Sequence, residues 1–501
     1  MSAAQNLVFR CDANVAMGTG HVMRCLALAQ AWLGAGGDVT FAMAEATPSI
    51  EARLRIESIQ VIRLAVAAGS LEDTAQTADL AHKQNAQWVV VDGYQFDAHY
   101  QSQLRSSGLK VLFVDDNGEA APYSADLVLN QNLHANEGMY RDREAHTRLL
   151  LGPRYILMRR EFGFWRKRKI EIAERARRIL VTMGGSDPDN VTEQVLQVLL
   201  AEKELELTVV VGGSNPHLAS IEAAIAGANG SVRLLKDVGD MPSLMVWADL
   251  AVAGAGTTSW EMCMMGLPTA LCVLAPNQER IAGELARLGA ALNLGYPCRA
   301  PKSKTAESLR ELVRSEEKRT RMSERSRQIV DGRGAERVQA SLWGDPVLRR
   351  TVELDCKSFW EWANESADPS GALARKPIAW DRHMEWFRAR LADPQSILYT
   401  ALNRHGDPVG MVRCQVHGTQ AVLSISVGAA FRGKGNGRKM LSLATEELFQ
   451  NSRVTTIDAF VRSSNQPSIR LFEGAGFRKA GVEPIDGSPA IRYVLDKSVL
   501  G

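Results

Sequence analysis

The sequence predicts an α/β chain: two tandem doubly wound domains followed by a smaller α+β domain. Three observations carry that expectation. At 501 residues the chain exceeds what one hydrophobic core ordinarily organises. Through the first 340 residues, short apolar runs alternate with helical stretches, the rhythm of parallel strands whose connecting helices cover both faces of a sheet. Past residue 350 the order changes, and consecutive strands precede a helix. The resulting divisions are 1–155, 156–340 and 350–501.

In the first division, strands are expected over 7–11, 39–44, 61–64, 88–92, 110–115 and 127–130, each a short apolar run. Helices fall between them, as at 21–35, 71–84 and 97–107. Residues 155–178, with the basic run Arg166, Lys167, Arg168 and Lys169, read as a charged connecting helix with a solvated face. A second alternation follows, with strands at 179–183, 207–211, 232–235, 250–253 and 269–273. The tract 331–350, containing Gly332, Gly334 and Gly344, breaks the pattern and marks the second boundary. Beyond it, helices are expected at 356–366 and 380–392, then strands at 396–402, 408–416 and 421–428. A helix at 435–450, a strand at 454–461, a helix at 466–475 and a strand at 490–496 complete the chain.

Composition excludes several classes. Lys and Arg number 59 against 57 Asp and Glu, a net charge of +2, which argues against nucleic-acid binding as the main role. The seven cysteines are scattered and form no C-x-x-C pair, so neither a zinc ribbon nor a disulfide framework is expected. A strand begins almost at the N-terminus with no secretory signal, and no apolar run is long enough to span a bilayer. The expectation is a cytoplasmic protein with no membrane partner and no metal site.

The most informative segment is the strand Val8 to Asp12, the turn Gly18-Thr19-Gly20, and a helix opening on His21. A glycine turn feeding a helix start presents free backbone N–H groups to an anion. The positive end of the helix dipole disfavours imidazolium there, so His21 is expected to be neutral and able to accept a proton. The alternative is that His21 packs against, or caps, the first turn. Polar residues also close the neighbouring strands: Asp12, then Asp92-Gly93-Tyr94, Asp115-Asp116-Asn117 and Asn130-Gln131-Asn132. In a doubly wound sheet these ends face the ligand crevice, although the same residue types make ordinary turns.

In the second domain a strand runs into Gly254-Ala255-Gly256, and Thr257, Thr258 and Ser259 open a helix. Amides and hydroxyls at that turn suit a diphosphate, and Glu261 lies one turn further in, where it can accept from ribose hydroxyls. A threonine-capped turn without a ligand is the plain alternative. No G-x-x-x-x-G-K-[ST] or dinucleotide fingerprint is present, which disfavours ATP hydrolysis and nicotinamide chemistry. Asn277 and Gln278 follow the next strand, with side chains suited to sugar hydroxyls or amides.

Taken together, Arg10-x-Asp12, Gly18-x-Gly20-His21-x-x-Arg24-Cys25, Asp92-Gly93-Tyr94, Gly184-Gly185-Ser186-Asp187, Gly254-Ala255-Gly256-Thr257-Thr258-x-x-Glu261 and Asn277-Gln278 resemble one family. It is that of the UDP-sugar hydrolases of the pseudaminic acid pathway, which share the two-domain GT-B architecture of nucleotide-sugar glycosyltransferases. The resemblance implies that His21 activates a water for attack on the anomeric carbon. It implies that Asp12, Gly18, Gly20, Arg24, Tyr94, Gly185, Ser186, Asn277 and Gln278 surround sugar and water. Gly256, Thr257, Thr258 and Glu261 would hold UDP.

The third domain carries Arg432-Gly433-Lys434-Gly435-Asn436-Gly437-Arg438 between a strand and a helix. Successive amides there can form an anion nest, with Arg432, Lys434 and Arg438 adding positive charge, which suits the pyrophosphate of coenzyme A. Downstream, Asn465-x-x-Ser468-x-x-Leu471-Phe472-x-x-x-Gly476-Phe477 completes a pair of motifs that resembles the GNAT acetyltransferases over residues 350–497. The resemblance implies acetyl-CoA as co-substrate, bound by Ser426, Val427, Arg432, Gly433, Gly435, Gly437, Arg438, Asn465 and Phe472. It also implies that the strand 424–427 splays from its neighbour so that its backbone can pair with the pantetheine arm. Many relatives carry Tyr, able to protonate the leaving thiolate, where this chain has Phe472. Catalysis here then rests on another group, on water, or on positioning.

The fusion predicts a bifunctional enzyme. One half would acetylate the amine of a UDP-4-amino-4,6-dideoxy sugar, and the other would hydrolyse the resulting UDP-2,4-diacetamido-2,4,6-trideoxy hexose to sugar and UDP. The rivals are a GT-B glycosyltransferase, or a non-catalytic UDP-sugar-binding module, joined to the same acetyltransferase.

Overall fold

The computed structural model describes residues 6–14, 17–165, 168, 170–185, 187–202, 204–213, 215–226, 231–299, 301–343, 347–365, 377–403, 406–485 and 488–497. The chain divides into two compact units, residues 1–336 and 337–501.

The first unit holds two parallel sheets. One comprises β1 (Asn6–Cys11), β2 (Asp38–Met43), β3 (Gln60–Arg63), β4 (Trp88–Asp92), β5 (Lys110–Val114), β6 (Leu127–Asn130) and β7 (Arg148–Leu151), in the order β3-β2-β1-β4-β5-β6-β7. The other comprises β8 (Arg178–Thr182), β9 (Glu206–Val211), β10 (Ser231–Lys236), β11 (Leu250–Gly254), β12 (Thr269–Cys272) and β13 (Leu292–Gly295), in the order β10-β9-β8-β11-β12-β13. The central strands are built around apolar runs because both faces are covered. Every residue of β1, β4 and β11 is buried. In each sheet the strand order reverses once, between β1 and β4 and between β8 and β11. Ligands bind at such reversals, beyond the carboxyl ends of the strands.

The second unit holds a mixed sheet. Its strands are β14 (Val347–Arg350), β15 (Ser396–Leu402), β16 (Pro408–His417), β17 (Gln420–Val427), β18 (Thr456–Arg462), β19 (Arg478–Ile485) and β20 (Ser488–Asp496), in the order β14-β15-β16-β17-β18-β20-β19. The Asn436–Asn451 helix packs Met440, Leu441 and Ala444 onto Val412, Cys414 and Leu423 of one face. Met411, of opposite parity, meets Phe359, Trp362 and Phe387 from the Cys356–Glu365 and Trp380–Ala392 helices on the other face.

Two expectations need correction. Residues 155–178 are not a connecting helix. Pro153–Tyr155 and Arg160–Trp165 are short 3-10 turns, and β8 begins at Arg178. Ile156 and Met158 go inward at an extended spacing, and Phe162 is fully buried in the second sheet's core, so the segment is pinned by anchors that do not share one helical face. Truncating Phe162 would cost about 3–5 kcal/mol. Arg166, Lys167 and Lys169 of the basic run lie outside the described residues. A further strand, β13, follows the expected one at 269–273. β7, β13, β14 and β19, none of them expected, are all edge strands, whose partial exposure erases the apolar pattern that marks a central strand. β14 also starts ahead of residue 350, the expected beginning of the third domain. No helix among the described residues is long and apolar enough to cross a membrane.

Candidate active site

The reversal point of the first sheet gathers a charged cluster. Cys11 at the end of β1 pairs with Asp92 at the end of β4. The helix that follows β1, Gly20–Gly34, brings His21 and Arg24, one turn apart, over the fully buried Asp92 carboxylate. Asp92 Oδ1 lies 2.7 Å from His21 Nδ1. A carboxylate can only accept, so Nδ1 carries a proton, and in the neutral ring the lone pair is on Nε2. Arg24 donates through Nε to Asp92 Oδ2 and through Nη2 to Oδ1, both at 2.7 Å. Its Nη1 binds both oxygens of Asp116, at 2.8 and 2.9 Å. Burial alone would raise the Asp92 pKa, but Arg24 and then His21 outweigh it and hold the carboxyl well below the usual range. Asp116 is lowered in the same way, burial being overcome by Arg24.

Asp116 also accepts from Tyr94 Oη at 3.1 Å and from Asn132 Nδ2 at 2.8 Å. The Tyr94 ring stands edge-on to His21, with centroids 4.9 Å apart. Its hydroxyl in turn accepts from Asn277 Nδ2 of the second sheet's side at 3.0 Å. Tyr94 is 54% exposed, so this bridge lies in the open mouth of the crevice.

The second reversal point faces the first. Gly185, after β8, approaches Thr19 so closely that a Cβ would sit 3.2 Å from the Thr19 backbone nitrogen. A Cβ on Gly20 would lie 3.7 Å from Thr257 Oγ1. Thr257 is the N-cap of the Thr258–Met265 helix, and its side chain makes no capping bond. The Ser259 and Trp260 amides already donate to the Gly256 and Thr257 carbonyls, at 3.0 and 3.1 Å, which leaves the Thr257 and Thr258 amides to meet an anion. Gln278 lies beside Gly256, and its Oε1 accepts from the Leu274 amide at 3.0 Å. Glu261 Oε1 accepts from Arg159 Nη2 at 2.8 Å, and Arg159 Nη1 reaches Glu161 at 2.8 Å. The crossover segment is thereby tied to the helix that opens on Thr257.

The structure therefore brings His21, Gly18, Gly20, Arg24, Tyr94, Gly185, Asn277, Gln278, Gly256, Thr257 and Thr258 around one crevice. It does not bring Asp12 there. That carboxylate is 1% exposed, pairs with Arg10 Nη1 at 2.8 Å, and accepts from the Ala44 and Glu45 amides at 2.7 and 3.0 Å, so it braces the β2 loop. Ser186 lies outside the described residues. Its neighbour Asp187 binds the Val191 and Thr192 amides at 2.8 and 2.9 Å, a helix-starting role. Sequence reasoning placed Asp92, Asp116 and Asn132 at strand ends without a role. The signal that could have assigned one was the parallel order, which sets the end of β4 beside that of β1. Among the described residues no group of three or more His, Cys, Asp or Glu side chains is placed to hold a metal ion.

In the second unit, β17 and β18 pair only from Gln420/Thr456 to Val422/Asp458. Beyond Val422 the two strands diverge, so Ser426 and Val427 lie on an inner edge with no strand beside it. β17 then leads to a loop with Gly433 at φ +73° and Gly435 at φ +80°, and Gly435 is the N-cap of the Asn436–Asn451 helix. The left-handed backbone there turns successive amides toward one side, as an anion nest requires. A Cβ on Gly437 would touch Leu471 and Val427, at 3.4 and 3.6 Å. Arg438 is exposed, while Arg432 Nε donates to the Val427 carbonyl at 2.9 Å, which shapes the loop. Asn465 caps the Gln466–Gly474 helix through Ser468 N at 3.2 Å. Phe472 is 4% exposed and packs against Phe477 and Tyr493, so it supports the core under the cleft.

Residues 178–338 match the glycosyltransferase family 28 C-terminal domain, and residues 357–477 match the acetyltransferase (GNAT) family. A protein of Methanocaldococcus jannaschii is 22% identical over 93% of this chain and 96% of its own length. The UDP-2,4-diacetamido-2,4,6-trideoxy-beta-L-altropyranose hydrolase of Campylobacter jejuni is 25% identical over 58% of this chain and 99% of its own. The aminoglycoside N(6')-acetyltransferase type 1 of Klebsiella pneumoniae is 27% identical over 30% of this chain and 81% of its own. The chain thus joins a pair of GT-B-type domains similar to a UDP-sugar hydrolase to a C-terminal domain that matches the GNAT acetyltransferases.

Proposed function

We propose that this is a bifunctional nucleotide-sugar enzyme of nonulosonic acid synthesis. Its second unit acetylates the 4-amine of a UDP-4-amino-4,6-dideoxy sugar. Its first unit hydrolyses the resulting UDP-2,4-diacetamido-2,4,6-trideoxy hexose. The observation that carries the hydrolytic reading is the facing pair of reversal points. One bears an imidazole whose Nδ1 is held by Asp92, the other a helix start with free amides at Thr257 and Thr258.

In the first step the sugar amine attacks the thioester carbonyl. A C–N bond forms, the C–S bond breaks, and the proton lost from nitrogen leaves with the thiol or to solvent. The inner edge of β17 and the Gly433–Gly437 amides would position the acyl carrier, so proximity supplies most of the rate gain. In the second step water adds to C1 as the C1–O bond to UDP breaks. Its proton passes to His21 Nε2, and the diphosphate charge falls on the Thr257–Thr258 amides. Glu261 would meet the ribose while Arg159 holds its Oε1. Tyr94, Asn277 and Gln278 would contact the sugar.

The test uses purified protein, acetyl-CoA and the UDP-4-amino sugar in ¹⁸O-water. The expected products are CoA, UDP and a diacetamido hexose with the label on the sugar. His21→Ala should abolish UDP release while CoA release continues. Label in UDP, or loss of both activities, would overturn the scheme. The family 28 match leaves transfer to a sugar acceptor as a second reading. Steady turnover with water as sole acceptor excludes it.

A further inference from the structure

The face of the second unit's sheet that meets the Trp380–Ala392 helix carries an arginine with no carboxylate at ion-pair distance among the described residues. Arg413 alternates with Met411 along β16, and the two stand directly opposite Ser424 and Ser426 of β17. Paired residues of antiparallel strands share a face, so all four side chains lie on one side of the sheet. Arg413 Cζ stands 5.9 Å from the centroid of the Trp386 ring. The neighbouring Arg390 has partners of its own, Asp393 at 3.5 Å and Gln415 at 3.3 Å. Arg413 is exposed on this face, and the desolvation it does undergo, then the like charge of Arg390, lower its pKa. An anion placed there would relieve both.

The location gives this cation a purpose. The β17–β18 ladder ends at Val422, so the opening that would receive the acyl group begins at Ser424, the residue across from Arg413. Opposed residues on such a pair are about 5 Å apart. That span is comparable to one hexose ring. A sugar whose C1 phosphate sits on Arg413 therefore points its far side, and a 4-amine on it, into the opening. Trp386 is half-buried and presents ring surface beside the same guanidinium, suited to stacking on a pyrimidine or a sugar face.

We propose that Arg413 and Trp386 form the acceptor subsite of the acetyltransferase domain and select a nucleoside diphosphate sugar over an uncharged amino sugar. This inference rests on the acetylation step proposed above. Arg413 binds the diphosphate, Trp386 covers an adjacent ring, and Ser424 marks the mouth of the opening.

The experiment measures CoA release by the full chain with two acceptors, the UDP-4-amino sugar and the methyl glycoside of the same amino sugar. In the wild type kcat/KM should favour the UDP sugar. Arg413→Ala should lower that preference by about ten- to a hundredfold, the worth of charge-assisted bonds to one phosphate group, mainly through KM for the sugar. Arg413→Lys should restore part of it, and Trp386→Ala should also reduce it. KM for acetyl-CoA and the melting temperature separate this from structural damage. An unchanged preference in Arg413→Ala, or an equal fall for both acceptors, overturns the subsite while leaving the acetylation reading intact. Failure of the wild type to acetylate the UDP-amino sugar overturns that reading itself.

Discussion

Replacing Asp92 by Asn is the sharpest test of the hydrolytic site, because it changes one atom pair and keeps the volume. In the wild type both Asp92 oxygens accept, from His21 Nδ1 and from two nitrogens of Arg24. An amide offers only one accepting oxygen. If Arg24 keeps that oxygen, the amide N–H₂ faces His21, the imidazole must accept at Nδ1, and its proton moves to Nε2. The ring then cannot take a proton from water. General-base assistance is worth about 10² to 10⁴ in rate, so UDP release at saturating diacetamido substrate should fall by that factor. CoA release by the second unit serves as the internal control. The double variant with His21→Ala should be no slower than His21→Ala alone, since the two residues act as one device. The change also costs stability. Removing one partner of a buried ion pair costs about 3–5 kcal/mol, and Arg24 recovers part of this through its two bonds to Asp116. The pH dependence has a defined sign. The folded-state pKa of Asp92 lies below that of the unfolded chain, so its contribution is complete above about pH 4 and is lost as pH falls further. The gap in melting temperature between wild type and variant should therefore narrow in acid. A variant that loses less than about tenfold in UDP release refutes the assignment of Asp92 as the residue that orients the base.

Two further outcomes are expected. Gly435→Glu forces a side chain onto a residue at φ +80° and puts a negative charge in the nest. CoA release should be lost while preformed diacetamido substrate is still hydrolysed, and paired assays of thiol and UDP check this. His383, 4% exposed, has its pKa lowered by burial, and its Nε2 has no hydrogen-bond partner. The unfolded chain therefore binds the proton more readily. The second unit's melting temperature should fall as pH drops below about 6.5, and His383→Gln should flatten that fall. An unchanged slope in calorimetry counts against it.

Much of this architecture was legible because central strands of parallel sheets must be apolar on both faces. β1, β4, β8 and β11 announce themselves by short apolar runs, Leu7–Phe9, Trp88–Val91, Ile179–Val181 and Leu250–Ala253, and the glycine turns after them mark where ligand crevices open. Of the six edge strands, β3 and β10 were legible and the other four were not. Arg148–Leu151 or Leu292–Gly295 looks like any loop until its neighbour is known. The crossover segment misled because its charges suggested a solvated helix, whereas Arg159 is spent on Glu261 and Glu161. Motif residues and their partners were legible to different degrees. His21 stood out from its local turn, but the group that holds it is 71 positions away, and no local spacing reveals a carboxylate delivered by a different strand. Asp12 shows the converse error, since its position at a strand end was right and its direction was not.

The gap between β17 and β18 has a consequence for how the acetyltransferase domain lives through its cycle. Each strand is secured on its outer side, β17 by β16 and β18 by β20, so the fissure cannot close by slipping register. Within it, the backbone of β17 past Val422 has no ladder partner on the β18 side, and Arg432 Nε reaches the Val427 carbonyl from the loop instead. On the proposed reading, a thioester carrier with amides along its arm would act there as a removable rung. The loaded domain would then be stiffer than the empty one, and departure of the spent thiol would be the moment at which the sheet loosens.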